Sequence, residues 1–170
     1  RQRKRIEQQT EAQMEVTTNY LEQIPFRGKI HERLTELWNY KKQSIPYRKG
    51  DYWFISRNDG LQDQSVVYVK KGRNGEERVL LDPNKLSEDG TVALADFSIS
   101  ENGKYMAYAL SEGGSDWHEI HIREVESGDD LDDHLKWVKF SNISWLGNKG
   151  IYYSRYEAPA EDEELTSVNE

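Results

Sequence analysis

The chain has 170 residues, of which 35% are hydrophobic, 32% charged and 11% aromatic, enough for one ordinary domain with a real core. Acids outnumber bases 31 to 23 for a net charge of −8, which argues against a nucleic-acid grip built on clustered Lys and Arg. No apolar run approaches the roughly 18 residues that cross a bilayer, the start lacks the apolar stretch of a secretory signal, and without cysteine there is no disulfide or thiolate chemistry, as suits a reducing compartment.

The chain begins without Met and stops on the polar run "AEDEELTSVNE", and it reads as a piece of something longer. Ile6, Thr10, Gln13/Met14, Thr17, Tyr20 and Ile24 follow an imperfect three-four spacing that predicts a first helix ended by Pro25. A second is expected from about Arg27 to Asn39, where Ile30, Leu34, Leu37 and Trp38 share a face. Both stripes are too narrow to make a domain alone, so the helices are expected to dock on something else.

From Ser44 the period changes to two. Tyr52–Ile55, Val66–Val69, Val79–Leu81, Tyr105–Leu110 and Ile151–Tyr153 are short β-branched and aromatic runs bounded by turn residues, and predict strands. The connectors "KKGRNGEE" and "SENGK" carry Asn-Gly, the strongest short-range hairpin signal, so an antiparallel meander follows.

That pattern is written more than once. Lys104 and Lys149 lie 45 positions apart, each followed by apolar and aromatic residues in step, and Gly50 matches Gly103 at 53. Blades of a β-propeller recur at about 40 to 50 residues because each is one meander that needs neighbours to cover its faces. The spacing points to consecutive blades, with a β-sandwich of similar hairpins as the other reading.

Local motifs for chemistry are weak. In "HEIH" the histidines His118 and His121 are three apart, and in a strand they point to opposite faces, so no metal site is expected; His31 and His134 have no partner visible in the sequence. "ESGDDLDDH" lacks the order of a calcium loop and reads as a solvated hairpin tip. The terminal "EAPAEDEELTSVNE" reads as a polar loop. Ser115 stands next to Asp116 without a nucleophile elbow, which leaves it to turn chemistry. The same turn delivers Asp116 and Trp117 to the end of a strand.

Several longer strings carry a family likeness. "LEQIPFRGKIHERLTELWNY", "GLQDQSVVYVK", "LLDPNKLSEDGTVAL", "FSISENGKYMAYALSEGGSDW" and "VKFSNISWLGNKGIYYSRY" resemble, in order and spacing, the N-terminal region of a prolyl oligopeptidase. The likeness covers nearly the whole chain, thinning before Thr17 and after Glu157. It implies a mainly β fold: the first blades of a seven-bladed β-propeller, residues 40–170, preceded by a helical segment, residues 1–39, that packs on an α/β-hydrolase domain lying elsewhere. It also implies a cytoplasmic serine endopeptidase that cuts after proline in short peptides, with no cofactor, no metal, and no nucleic-acid or membrane partner. No catalytic residue is expected in this chain, because family triads lie far downstream. By resemblance, Phe140 in "VKFS" lines the substrate pocket, and Asp116 in "GSDW" contacts an arginine on the hydrolase side. Asn142 and Ile143 depart from the family pattern beside Phe140. The alternative function is a non-catalytic propeller that serves as a binding platform.

Overall fold

A computed structural model describes residues 2–158. The polar terminus from 159 on, including most of "EAPAEDEELTSVNE", lies outside the described residues. The chain divides into two units, Arg1–Tyr40 and Lys41–Glu170.

The first unit holds α1 (Gln2–Glu22) and α2 (Arg27–Trp38), with Pro25 between them as expected. None of its described residues is buried. Ile30, Leu34, Leu37 and Trp38, the predicted stripe of α2, are all about half exposed or more. The stripe is therefore present, and its side chains are exposed.

Among its described residues the second unit is built of strands and one 3-10 turn. β1 (Lys42–Gln43), β2 (Tyr47–Lys49), β3 (Tyr52–Asn58), β4 (Val66–Lys71) and β5 (Glu77–Leu81) form one antiparallel sheet, with β1 and β2 sharing one edge of β3. After a 3-10 turn at Pro83–Lys85, β6 (Val92–Ile99), β7 (Tyr105–Glu112), β8 (Trp117–Glu124) and β9 (Asp130–Lys139) make a four-stranded meander. β10 (Ser144–Trp145) and β11 (Ile151–Tyr152) begin a third sheet. Both Asn-Gly connectors are hairpins, β4 to β5 and β6 to β7.

Alternation along β7 decides how the sheets stack. Met106 and Tyr108 point into a core shared with Phe54, Val67, Val69 and Leu81 of the first sheet. Ala107 and Ala109 point the other way, into a core with Ile120, Ile122 and Val138 that Trp145 and Ile151 of the third sheet cover. The middle sheet is thus buried on both faces. A two-sheet sandwich leaves one face of each sheet outside, so three sheets in a row favour stacked blades. Fully burying a side chain the size of Phe54 or Met106 contributes roughly 1.5–3 kcal/mol, and the inner faces supply many.

Two strings of the family likeness, "GLQDQSVVYVK" and "LLDPNKLSEDGTVAL", meet at the crossing between the first two sheets. The Asp82 carboxylate accepts from the Asn84 backbone amide and caps the 3-10 turn. Asn84 donates to the Gln64 carbonyl at 3.0 Å, and the Gln64 side chain bonds to Val92 and Leu94 at 2.9 and 2.7 Å. "GLQDQ" and "LDPNKL" are idiosyncratic because each supplies polar partners to the other.

Sequence reading took "ESGDDLDDH" for a hairpin tip throughout, and the structure confines the turn to its first part. Asp130 already pairs within β9, because Arg123 holds its carboxylate with two 2.8 Å hydrogen bonds and Tyr108 donates to it at 2.9 Å. A carboxylate so compensated tolerates a strand.

Gly50 and Gly103 explain the repeated pattern. Their φ values are +54° and +75°, and a Cβ on Gly50 would stand 1.9 Å from the Asn102 carbonyl oxygen, while one on Gly103 would stand 2.3 Å from that of Lys49. Gly103→Ala is expected to cost at least ~2 kcal/mol, from left-handed strain plus that clash. Gly72→Ala, at φ +67° with open space around it, should lose only the strain part. Chemical denaturation of the intact gene product compares the two, and equal losses would dismiss the contact between turns.

Candidate functional site

The far end of the middle sheet, opposite the hairpin at Gly103, gathers the residues singled out in the sequence. Gly113 and Gly114, at φ +59° and +73°, turn β7 into β8. Ser111 donates to the Ser115 carbonyl at 2.6 Å, and Ser115 Oγ accepts from the Trp117 amide at 3.1 Å. Ser115 therefore closes its own turn, as expected for a serine without an elbow.

Asp116 leaves this turn exposed, and no hydrogen bond or ion pair engages its carboxylate among the described residues. Trp117 pairs with Lys139 across β8 and β9, which puts Asp116 and Phe140 at the same end of the sheet. Phe140 is 73% exposed. Beside it, Lys139 is buried at 4%, with its ammonium 5.2 Å from the Trp117 ring centroid and 5.0 Å from that of Phe140. Tyr156 meets Trp117 edge-on at 5.5 Å.

Phe140 and Trp137 are the two non-glycine residues with positive φ among those described, at +51° and +63°. A non-glycine residue in that region costs of order 1–3 kcal/mol and persists only where its surroundings impose it. Here they do: the Tyr156 amide donates to the Trp137 carbonyl at 2.9 Å, and Val138 bridges to Arg155. The result turns Val138 and Lys139 inward and Phe140 out. Of the residues that depart from the family pattern, Ile143 is buried in the core of the second and third sheets, whereas Asn142 is exposed near Phe140.

A second polar group lies on the face of β8 and β9 turned toward the first sheet. His121 stands directly opposite His134, and their rings stack with centroids 4.5 Å apart. His134 Nε2 lies 2.5 Å from Glu119 Oε2, and Lys136 Nζ is 3.6 Å from Oε1. Burial, with the charge of His134 behind it, holds the His121 imidazole below its usual range. Burial alone would raise the Glu119 carboxyl, but the hydrogen bond and charge of His134 outweigh it and leave it low. Sequence reading gave His134 no partner. The signal that finds it is strand register: an i, i+2 pair on β8 and the residue across from it. His118 is on the other side of the strand, as the spacing of "HEIH" requires.

Below this group Arg123 ties the two sheets, donating to Leu80 of β5 at 2.7 Å while clamping Asp130. Burial and then the hydrogen bond to Asp130 push the Tyr108 hydroxyl up to about 12. Burial works to raise Asp130 as well, but the hydrogen bonds from Arg123 and Tyr108 and the charge of Arg123 prevail and hold it below the usual carboxylate range.

The comparisons with known proteins follow this geometry. A family model described as "Prolyl oligopeptidase, N-terminal beta-propeller domain" matches residues 1–170. The chain is 48% identical to a prolyl endopeptidase of Elizabethkingia meningoseptica over 93% of its own length and 22% of that protein's. It is 37% identical to prolyl oligopeptidase A of Amanita bisporigera, over 86% of itself and 22% of that protein. A solved structure of prolyl oligopeptidase B from Galerina marginata, bound to a 25mer macrocyclization substrate, superposes with a TM-score of 0.85 at 32% identity, over 94% of this chain and 25% of that one. The chain thus spans about a fifth to a quarter of the relatives it matches. Among the described residues, no helix is long and apolar enough to cross a membrane.

A folded-state carboxyl below its unfolded value near 3.9 stabilises fully above that value and loses its contribution as pH falls through the folded one. Asp130→Asn should therefore lower Tm at neutral pH, and the gap to the parent should close on acidification below about pH 4. A gap that persists unchanged at acid pH would assign the loss to packing.

Proposed function

The chain belongs to the prolyl oligopeptidase family, within its N-terminal β-propeller domain, and on that premise we propose that it is the substrate-selecting part of a cytoplasmic serine endopeptidase that hydrolyses the bond after proline in short peptides. The chemistry of that reaction would be carried by a Ser, His and Asp set in an α/β-hydrolase domain encoded beyond this chain: the serine attacks the carbonyl, the histidine takes and returns its proton, and the aspartate orients the histidine. Residues 1–39 would complete that domain, and residues 40–170 would cover its active site.

The observation that carries this reading is Phe140. A large aromatic ring is held outward at positive φ, with a buried lysine ammonium over it at 5.0 Å from its centroid, in a chain that is 48% identical to a prolyl endopeptidase. Such a ring suits an apolar residue upstream of proline, and aromatic packing of that kind contributes about 0.5–1.5 kcal/mol beyond its area. Asp116, exposed at the same end, would meet an arginine of the hydrolase domain in a charge-assisted pair that influences opening between the domains. The uncovered stripe of α2 supports the assignment of residues 1–39.

Three measurements test this. The gene should continue past Glu170 into further blades and then a G-x-S-x-G elbow, and its product should cleave proline-containing peptides; an early stop, or an elbow without serine, leaves a binding propeller. In the active enzyme, Phe140→Ala should lower kcat/KM for peptides with an apolar residue upstream of proline by about 3- to 10-fold, chiefly through KM. Equal effects on peptides with a polar residue there would reduce Phe140 to packing. Residues 1–170 expressed alone should aggregate, because the helical stripe and outer blade faces are uncovered; a sharp, reversible monomeric transition would count against the fragment reading.

A further inference from the structure

One side-chain group on the middle sheet is used neither by the peptidase reading nor by the packing of the blades. Alternation places Glu119 and His121 on one face of β8, and the ladder sets His134 of β9 opposite His121. One donor atom from each of the three lies within 4.8 Å of the other two. We propose that Glu119, His121 and His134 form a binding site for a divalent transition-metal ion, with zinc the best match to the donors.

The donor chemistry selects the ion. Two imidazoles and one carboxylate suit zinc and its neighbours, whereas calcium and magnesium want oxygen donors throughout. At bond lengths of about 2.0–2.1 Å, donors around a tetrahedral ion stand roughly 3.3 Å apart. His134 Nε2 and Glu119 Oε2, now 2.5 Å apart, have to separate slightly, and the wider pairs have to close by about 1.5 Å or less. Half-exposed side chains on a rigid ladder can make that change by rotation, since the strands already fix their spacing. The ion then stands where a proton now bridges His134 and Glu119.

The surroundings set the ring and leave a coordination position. Tyr108 stacks on His121 at 5.5 Å and is itself tied to the Arg123–Asp130 pair, so the imidazole is oriented from behind. A cleft of about 370 Å³, lined by Ser111, Trp117, Glu119 and His121 among others, leads to solvent and has room for a water as fourth ligand. Two cations stand beside the site: Arg123, on the same face of β8 as His121 and already held by Asp130, and Lys136, 3.6 Å from Glu119, whose half-exposed stem lets it swing into water. An ion held this way would clamp β8 to β9 beside the turned-out backbone at Trp137, and its role would be structural.

The test uses the intact gene product stripped of metal. Calorimetric titration with zinc chloride should show one ion bound per chain, raising Tm, and Glu119→Gln and His134→Gln should each weaken it about tenfold or more. Cobalt(II) added to the unsubstituted protein should give the intense visible absorption of four- or five-coordinate ligation, a reading that stands even if a variant folds poorly. Absence of zinc uptake, affinity unchanged in both variants, or the weak spectrum of octahedral aqueous cobalt would each overturn the proposal.

Discussion

Where the turn at Gly50 meets the turn at Gly103, each backbone occupies the space a side chain would need on the other. The nearest atoms at that contact are backbone carbonyls, with the Tyr52 ring beside Gly103 at 3.2 Å, so the first two sheets have little freedom of separation at this end. The second and third continue the line: the Asn102 amide donates to the Asn148 side chain at 2.8 Å, and the Glu101 amide to the Gly147 carbonyl at 3.4 Å. With their turns pinned in a row, the sheets bury the faces between them as two apolar layers. Those layers supply the stabilisation, and the turns supply the register in which it is obtained.

This division of labour accounts for how much could be read directly. Asn-Gly connectors, aromatic runs and the recurrence of glycine report local requirements, and they located the strands at Tyr52, Val66, Val79, Tyr105 and Ile151, both hairpins and the break at Pro25. Asp130 was misplaced because its tolerance for a strand comes from Arg123, seven residues away, and Tyr108, twenty-two away, and composition alone reads four acids in five positions as a loop. His134 and Glu119 were missed for a related reason. Their meeting depends on the register shifts between β8 and β9, and bulges leave no mark in hydrophobic periodicity.

The two ends of the middle sheet have opposite characters. At the hairpin end, Gly50 and Gly103 stand against backbone and leave no room for a side chain. At the other end, Gly113 and Gly114 carry the chain round an open turn, and Asp116 and Phe140 face outward. A rigid base with a variable rim is the usual arrangement for presenting side chains to something outside the scaffold.

Phe140 shows what that arrangement costs. A phenylalanine at φ +51° and 73% exposed is unfavourable twice over, in backbone strain and in apolar surface left wet. The neighbouring bonds, Tyr156 to Trp137 and Val138 to Arg155, do not relieve that cost; they enforce it. Lys139 adds to it, since burying an ammonium is costly and the Trp117 and Phe140 rings lie against this one. A blade that only had to pack could turn this ring inward and leave the lysine to solvent. The reverse choice is stabilised if the ring is covered when the molecule works, either by an apolar residue of a peptide or by the surface that closes over it. Under the proposed role of Phe140, the strained backbone from Trp137 to Phe140 would hold the ring in place before its partner arrives, so that binding would not need to supply the ordering.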